Sequence, residues 1–307
     1  MHEGSRKATI AALIANFSIA LAKGVAFLIT GSAALLSEAA HSVADASNQA
    51  LLLLGGRRSQ RKESHTHQFG YGPERYFWAF VVAIVLFTLG AAFALYKGIT
   101  KLSDPHAIES PLVAVAVLSI AILIECFAMH VAIREARPYK QQKSWWQFIR
   151  TTRNPELPVV LLEDAGALAG LVIALAGIGL TWSTGEPRFD AIASILIGLL
   201  LGVIAIILAL EMHSLLLGES ADPDIQQAIS DAILAGTEVH SVFHLRTLHR
   251  GPEDLLVAAK IALVPGDLPT IAAAIDLVEA RIRAAAPTAR WIYLEPDLLR
   301  KIEITEG

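Results

Sequence analysis

Six apolar stretches dominate this sequence, and each is long enough to cross a lipid bilayer as a helix, which requires about 20 residues. They cover residues 8–30, 32–54, 77–98, 111–133, 158–181 and 189–211. Across the 307 residues, 54% are hydrophobic and 18% are charged, which is less charge than a soluble protein carries. We therefore predict an all-α membrane bundle of six transmembrane helices, extending over residues 1–215.

Basic residues lie mainly on one side of the predicted bundle. The N-terminus and the second and fourth loops hold thirteen of them: Arg6, Lys7, Arg57, Arg58, Arg61, Lys62, Arg75, Arg134, Arg137, Lys140, Lys143, Arg150 and Arg153. The opposite side holds Lys97, Lys101 and Arg188. Because Lys and Arg are enriched in cytoplasmic loops, both termini are predicted to be cytoplasmic. No Arg-rich transit segment precedes the first span, which favours a plasma (inner) membrane.

The composition changes after Glu211, where polar and apolar residues become mixed. The pattern predicts a helix, two strands, a second helix and a third strand, at 222–235, 238–249, 254–264, 267–286 and 289–295. Asp222-Pro223 is a helix start signal, and Gly251-Pro252 separates the first two strands. These elements predict a cytoplasmic α+β domain of ferredoxin-like kind over residues 216–307.

Ionisable side chains inside the spans are candidates for function, because each costs about 2.5–3.5 kcal/mol at the bilayer centre. His41 and Asp45 are four residues apart in the second span and therefore share one helix face. Glu163 and Asp164 lie in the fifth span at a similar depth, pointing about 100° apart. If the two spans pack together, His41, Asp45 and Asp164 converge near mid-membrane, and Glu163 can add a fourth ligand.

An imidazole and carboxylates in a small site suit a divalent cation, chiefly Zn²⁺. Mn²⁺ or Fe²⁺ remain alternatives where oxygen ligands dominate. The competing interpretation is structural, with a buried hydrogen bond between His41 and Asp45 that ties helices together. The sequence leaves both interpretations open.

Other polar residues in the spans have weaker interpretations. Lys23 is expected to snorkel to the membrane surface or to pair with a carboxylate. Glu125 and His130 are five residues apart and share a face poorly, so a relay role is the lesser alternative to pairing with neighbouring helices. Asn48 could line a cavity or hydrogen-bond between helices.

Several segments resemble signatures of the cation diffusion facilitator family. Residues 31–45, GSAALLSEAAHSVAD, resemble its second-helix signature, which ends in a metal-binding H/D-x-x-x-D. The loop around His67, together with segments 189–194, 247–252 and 293–296, resembles four further family segments in the same order. Within the family, segments 48–49, 75–78 and 161–164 resemble the zinc transporter nine branch.

The resemblance implies a homodimer that exports divalent metal from the cytosol, usually in exchange for protons. It assigns metal binding to His41, Asp45 and Asp164. Most members also carry a ligand four residues before Asp164, where this chain has Val160, and Glu163 is the expected substitute. A loop site at His65 and His67 is expected to be weak, because Tyr71 replaces a frequent His.

The cytoplasmic positions that bind zinc in some members read Phe243, Ala259 and Tyr293, so those sites are expected to be absent or altered.

Two other classes of function compete with transport. A membrane-embedded partner subunit or sensor would bind the metal without moving it. An intramembrane hydrolase is disfavoured, because neither H-E-x-x-H nor G-x-S-x-G occurs, and we expect no enzyme. The net charge of −4 gives no reason to expect a nucleic-acid partner.

Overall fold

The structure is a computed structural model of the whole chain, which divides into two compact units, Met1–His213 and Ser214–Gly307. It describes residues 3–105, 108 and 110–297. Within these ranges, the side chains at positions 3–16, 33, 34, 37, 41, 44, 45, 86 and 87 lie outside the description.

The first part of the chain is a helical bundle of membrane type. Its elements are α1 (Glu3–Thr30), α2 (Ala33–Ser59), α3 (Glu74–Ser103), α4 (Pro111–Lys140), α5 (Trp145–Thr151), α6 (Glu156–Thr184) and α7 (Arg188–Leu217). Each predicted span coincides with one long helix. The helices extend beyond the apolar stretches, because polar turns continue the backbone hydrogen bonds at their ends. A π-helical segment, Val82–Phe87, interrupts α3.

Four of these helices, α3, α4, α6 and α7, are long and apolar enough to cross a membrane. Their outer surfaces carry large apolar side chains that a water-soluble protein would bury, including Leu112, Leu123, Phe127, Ile206 and Leu210. Such a continuous apolar exterior is typical of helices that face lipid. The short helix α5 begins at Trp145 and Trp146 in the fourth loop.

Glycines bring α3 and α7 into backbone contact. A Cβ atom on Gly98 would lie 2.9 Å from the carbonyl oxygen of Ala191, and one on Gly198 would lie 3.0 Å from the carbonyl oxygen of Ala91. Each helix therefore offers a glycine to the backbone of the other. Small residues at such positions allow the close packing on which helix association in membranes depends.

The second unit is a small α+β domain. Its elements are α8 (Pro223–Leu234), β1 (Val239–Gly251), β2 (Asp254–Leu263), α9 (Leu268–Ala285) and β3 (Ala289–Asp297), which confirms the five predicted elements. The strand order is β1-β2-β3, with β1 antiparallel and β3 parallel to β2. Apolar side chains from both helices and the sheet form one core, including Ile229, Val257, Ile261, Val278 and Ile282. The described order of elements in this domain is αββαβ.

Candidate metal centre

The predicted ligands of α2 lie on a face that turns inward. Glu38, His41, Asp45 and Asn48 occupy an arc of about 80° on this helix, at 100° per residue. The side chains of His41 and Asp45 are outside the description. The two described members, Glu38 and Asn48, flank them along the chain and are both fully buried. The backbone of α2 therefore places positions 41 and 45 on the same buried face.

Two contacts set the register between α2 and α6. A Cβ atom on Gly170 of α6 would lie 2.5 Å from Oε1 of Glu38, and one on Gly56 of α2 would lie 3.9 Å from Oε1 of Glu156. The helices therefore run antiparallel. Counting along both helices from these contacts places position 45 level with residues 163–167, within about one helical turn.

The two carboxylates of α6 occupy different sides of that helix. Glu163 is buried and lies within about 20° of Gly170 around the helix, so it shares the side that contacts Glu38. Asp164 is half-buried and lies about 100° further round. The sequence predicts Asp164 as the metal ligand of this helix and Glu163 as an additional one. In the packing, Glu163 has the position that faces α2.

Val160 packs against an apolar cluster that includes Ala132, Ala136 and Phe148. The position four residues before Asp164 is thus occupied by a core side chain that has no ligand atom. Any additional ligand for a metal at this depth has to come from elsewhere in the bundle.

A buried ion pair lies one turn from His41 on the side away from Asp45. Nζ of Lys23 on α1 donates to Oε2 of Glu38 at 3.2 Å and to Oγ of Ser42 at 2.8 Å. All three residues are buried. This arrangement confirms that Lys23 pairs with a carboxylate, and it joins α1 to the α2 segment that contains His41.

Asn48 contrasts with Lys23 and Ser42, which are bonded to each other. Its side chain is fully buried, and among the described side chains it has both polar atoms, Oδ1 and Nδ2, buried without a hydrogen-bond partner. Leaving an amide in that condition costs about 1–3 kcal/mol by protein mutational data. The sequence had left Asn48 between a cavity-lining role and an interhelical hydrogen bond, and the described contacts contain no such bond.

A second buried network lies at the opposite end of α2. Nζ of Lys101 donates to Oδ2 of Asp190 at 2.9 Å and to the carbonyl oxygen of Gly31 at 3.1 Å. Oγ of Ser32 donates to Oδ1 of Asp190 at 2.7 Å, and the backbone N–H of Asp190 donates to Oγ1 of Thr181 at 3.1 Å. The network joins α3, α6 and α7 to the turn between α1 and α2. Sequence reasoning treated Lys101 as a loop charge and missed it.

At the basic end of the bundle, Arg75 forms an ion pair between α3 and α6. Its Nε donates to Oε1 of Glu156 at 2.9 Å, and a second bond joins Nη2 to Oε2. The adjacent Tyr76 donates its hydroxyl to the carbonyl oxygen of Arg153 at 3.1 Å. These bonds join the start of α3 to the start of α6 and give a structural role to part of the 75–78 segment.

The remaining candidates are not brought together. Glu125 is buried while His130 is exposed, so the two lie on different sides of α4. His65 and His67 are both exposed in the loop after α2, and His67 stacks on Tyr71 at 4.5 Å between ring centroids. Among the described side chains, no group of three or more His, Cys, Asp or Glu could hold a metal ion.

Known proteins resemble this chain over its helical bundle. Residues 9–217 match the family model of the cation efflux transmembrane domain. The proton-coupled zinc antiporter SLC30A9, mitochondrial, of Xenopus laevis is 34% identical over 84% of this chain and 47% of that protein. Metal tolerance protein C4 of Arabidopsis thaliana is 31% identical over 84% of this chain and 57% of that protein.

A bacterial relative matches over more of its own length. Zinc transporter ZitB of Pectobacterium atrosepticum is 26% identical over 86% of this chain and 78% of that protein. By contrast, the chain spans about half the length of the SLC30A9 relatives it matches. The relatives do not support the expected plasma-membrane location, because the Xenopus laevis protein is mitochondrial by name. The match over the bundle and its apolar exterior make the chain an integral, multi-pass membrane protein.

Proposed function

This chain belongs to the cation efflux family, and on that premise we propose that it is a divalent cation transporter with Zn²⁺ as its main substrate. The cation is held by His41, Asp45 and Asp164, with Glu163 completing the set. The names of the relatives support zinc, since those from Xenopus laevis and Pectobacterium atrosepticum are a zinc antiporter and a zinc transporter. The family consists of transporters, so no enzymatic activity is assigned.

The observation that carries this proposal is the register between α2 and α6. The contact between Glu38 and Gly170 brings position 45 level with Glu163 and Asp164. The helix geometry puts position 41 one turn from position 45 on the same buried face. An imidazole and carboxylate oxygens within about two helical turns of one another form a ligand set that suits Zn²⁺, and Mn²⁺ and Fe²⁺ are the competing substrates.

We further propose that the chain crosses the membrane six times and works by alternating access. With α1 and α2 added to the four most apolar helices, both termini lie on the side that carries the basic loops, which is the cytosol. The site then lies between α2 and α6 within the bilayer, and a change in the packing of the helices exposes it to one side at a time. We expect the working unit to be a homodimer.

Proton exchange supplies the driving force in this proposal. Metal ligands must be deprotonated, so a proton arriving at the site competes with the bound cation. An imidazole is the side chain that changes charge between pH 5 and 8, which makes His41 the natural proton carrier. Binding of metal from one side and of protons from the other then gives antiport.

The test is Zn²⁺ uptake into liposomes that contain the purified chain, an internal fluorescent zinc indicator and an acidic lumen. Wild-type protein should take up Zn²⁺ only when the pH gradient is present, and Asp45→Ala should take up none. Glu135→Gln is the matched control, because Glu135 is an exposed carboxylate on α4. Unchanged uptake by Asp45→Ala would remove the proposed site.

A second candidate function rests on Val160. Because a core side chain occupies this ligand position, the chain can also serve as a partner subunit or sensor that binds the cation without moving it. The same liposomes separate the two functions. Zn²⁺ binding without uptake of Zn²⁺, Mn²⁺ or Fe²⁺ by wild-type protein would favour the sensor.

A further inference from the structure

We propose that Asn48 is a ligand of the transported cation, supplying through Oδ1 an oxygen that holds the ion next to Asp45 before it reaches His41. The inference rests on the proposed function and adds a residue to its site. Asn48 lies one turn from Asp45 toward the end of α2 that carries Arg57 and Arg58. It is therefore the first ligand that an ion entering from that end would meet.

The condition of the side chain is the first argument. Among the described side chains, both polar atoms of Asn48 are buried without a hydrogen-bond partner, while the buried Lys23, Ser32 and Asp190 all have one. A carboxamide held this way in a membrane protein is unfavourable unless something binds it in the working state. A cation passing along the α2 face would satisfy Oδ1.

The position on α2 is the second argument. Side chains on a helix tilt toward its N-terminus, so Asn48 leans toward Asp45, whose Cβ atom lies about 5–6 Å away. His41 is two turns from Asn48, a rise of about 10.5 Å, which is too far for both to hold one ion at once. Asp45 is therefore the shared ligand, first with Asn48 and then with His41.

The register with α6 is the third argument. Counting from the contacts at Gly170 and Gly56 places Asn48 level with residues 160–164 of α6. This is the depth of Val160, which is packed into an apolar cluster, and of Glu163, which is buried on the side that faces α2. A neutral oxygen from α2 thus lies at the depth where α6 has a missing ligand.

The chemistry of the carboxamide fits this role. An amide oxygen binds a divalent cation without adding negative charge, so it holds the ion less tightly than a carboxylate would. A neutral ligand on the entry side lets the ion leave for Asp45 and His41 rather than remain there. Replacement by aspartate should keep the oxygen and strengthen the binding.

The experiment measures Zn²⁺ affinity of the purified full-length protein by calorimetry, with Co²⁺ absorption as a second readout of ligand number and geometry. Asn48→Leu should bind Zn²⁺ about tenfold more weakly and change the Co²⁺ spectrum. Asn48→Asp should bind at least as tightly as wild type. Gln49→Leu is the matched control, since Gln49 is the adjacent amide, half-buried and about 100° round the helix, and its affinity should stay within about twofold.

Stability separates a ligand from a packing residue. Metal-free Asn48→Leu should melt at the same temperature as wild type or higher, because the change removes an unpaired buried amide. A lower melting temperature with wild-type Zn²⁺ affinity and an unchanged Co²⁺ spectrum would overturn the inference.

Asp45→Ala distinguishes the two proposals. If it loses binding while Asn48→Leu does not, only the inference about Asn48 fails, and if it binds like wild type, both fail.

Discussion

Lys101 and Asp190, which are 89 residues apart in the sequence, form a buried ion pair with 2.9 Å between Nζ and Oδ2. The carbonyl oxygen of Gly31 and the hydroxyl of Ser32 complete the hydrogen bonds of the pair. The carboxylate of Asp190 thus connects α3 and α7 to the turn between α1 and α2, at the end of the bundle away from the basic loops. Both side chains are buried, so water cannot replace the bonds of either residue when its partner is removed.

Replacing Lys101 by methionine should destabilise the bundle strongly. The change leaves Asp190 as a buried carboxylate without its cation, and breaking such a pair costs about 3–5 kcal/mol. Denaturant unfolding in detergent micelles measures the difference. Lys97→Met is the control, because Lys97 lies four residues away and has no ion pair among the described contacts, only ring contacts with Phe93 and Tyr96. Equal stability of the two variants would contradict the prediction.

Gly170→Ala should weaken the contact between α2 and α6. The added methyl group would lie 2.5 Å from Oε1 of Glu38, so the helices must separate or Glu38 must move. Overpacking of this kind costs about 1–3 kcal/mol, and Zn²⁺ affinity should fall with it because the register carries the site. Thermal unfolding and calorimetry measure both effects.

Gly179→Ala is the matched control in the same helix. A Cβ atom on Gly179 has no heavy atom within 4 Å, and alanine has the higher helix propensity, by up to about 1 kcal/mol. This variant should be as stable as wild type or slightly more stable. A loss of stability equal to that of Gly170→Ala would show that backbone effects, and not the contact with Glu38, decide the outcome.

Lys23→Met should be rescued in part by a second change at Glu38. The single variant leaves Glu38 buried without its ammonium partner, and the expected loss is about 3–5 kcal/mol. The double variant Lys23→Met with Glu38→Gln removes both charges and should recover most of that stability. A double-mutant cycle on the free energy of unfolding measures the coupling, and simple additivity of the two changes would contradict the pairing.

The pair should also influence the metal site, because Lys23 bonds to Ser42 next to His41. In Lys23→Met the Zn²⁺ affinity should fall while Lys23→Arg, which keeps a cation with several donors, should retain more of it. Wild-type affinity in a folded Lys23→Met protein would limit the pair to a structural role.

Asp267 should make the second unit sensitive to acid. Its carboxylate caps α9, accepting hydrogen bonds from the hydroxyl and from the backbone N–H of Thr270, the latter at 3.1 Å. These bonds lower the pKa of Asp267 below its usual value of 3.8, and the bond from the Thr270 hydroxyl has the larger effect. The stabilisation is therefore fully present above pH 4 and is lost as the pH falls through the lowered pKa.

Hydrogen exchange at the start of α9, followed from pH 6 downward, measures this loss in the intact chain. Asp267→Asn keeps a capping side chain that does not titrate over this range, so its protection should not show the same acid-dependent step. Identical profiles for wild type and Asp267→Asn would contradict the prediction.

The helices and strands could be predicted because their signals are local. Apolar runs longer than a bilayer is thick, together with signals such as Asp222-Pro223 and Gly251-Pro252, define elements without knowledge of their neighbours. The pairing of Lys101 with Asp190 could not be predicted, since it depends on how distant helices pack. The preference for Glu163 on the α2 side also depends on a tertiary contact, at Gly170, that no periodicity encodes.

The candidate site was predictable in part. The four-residue spacing of His41 and Asp45 puts them on one face of any helix, so their selection needs no structure. Asn48 has the same periodicity, but only its burial without a hydrogen-bond partner distinguishes it from an ordinary interhelical amide. Sequence pattern identifies the face, and packing identifies which members of that face are unsatisfied.

The reciprocal glycines at positions 98 and 198 impose a mechanical constraint. Because each glycine contacts the backbone of the opposite helix, a shift of α3 along α7 by even one residue would bring side chains into main-chain atoms. The two helices are therefore expected to move as one rigid body. On the proposed function, any rearrangement that opens the site is expected to leave the packing of α3 against α7 intact.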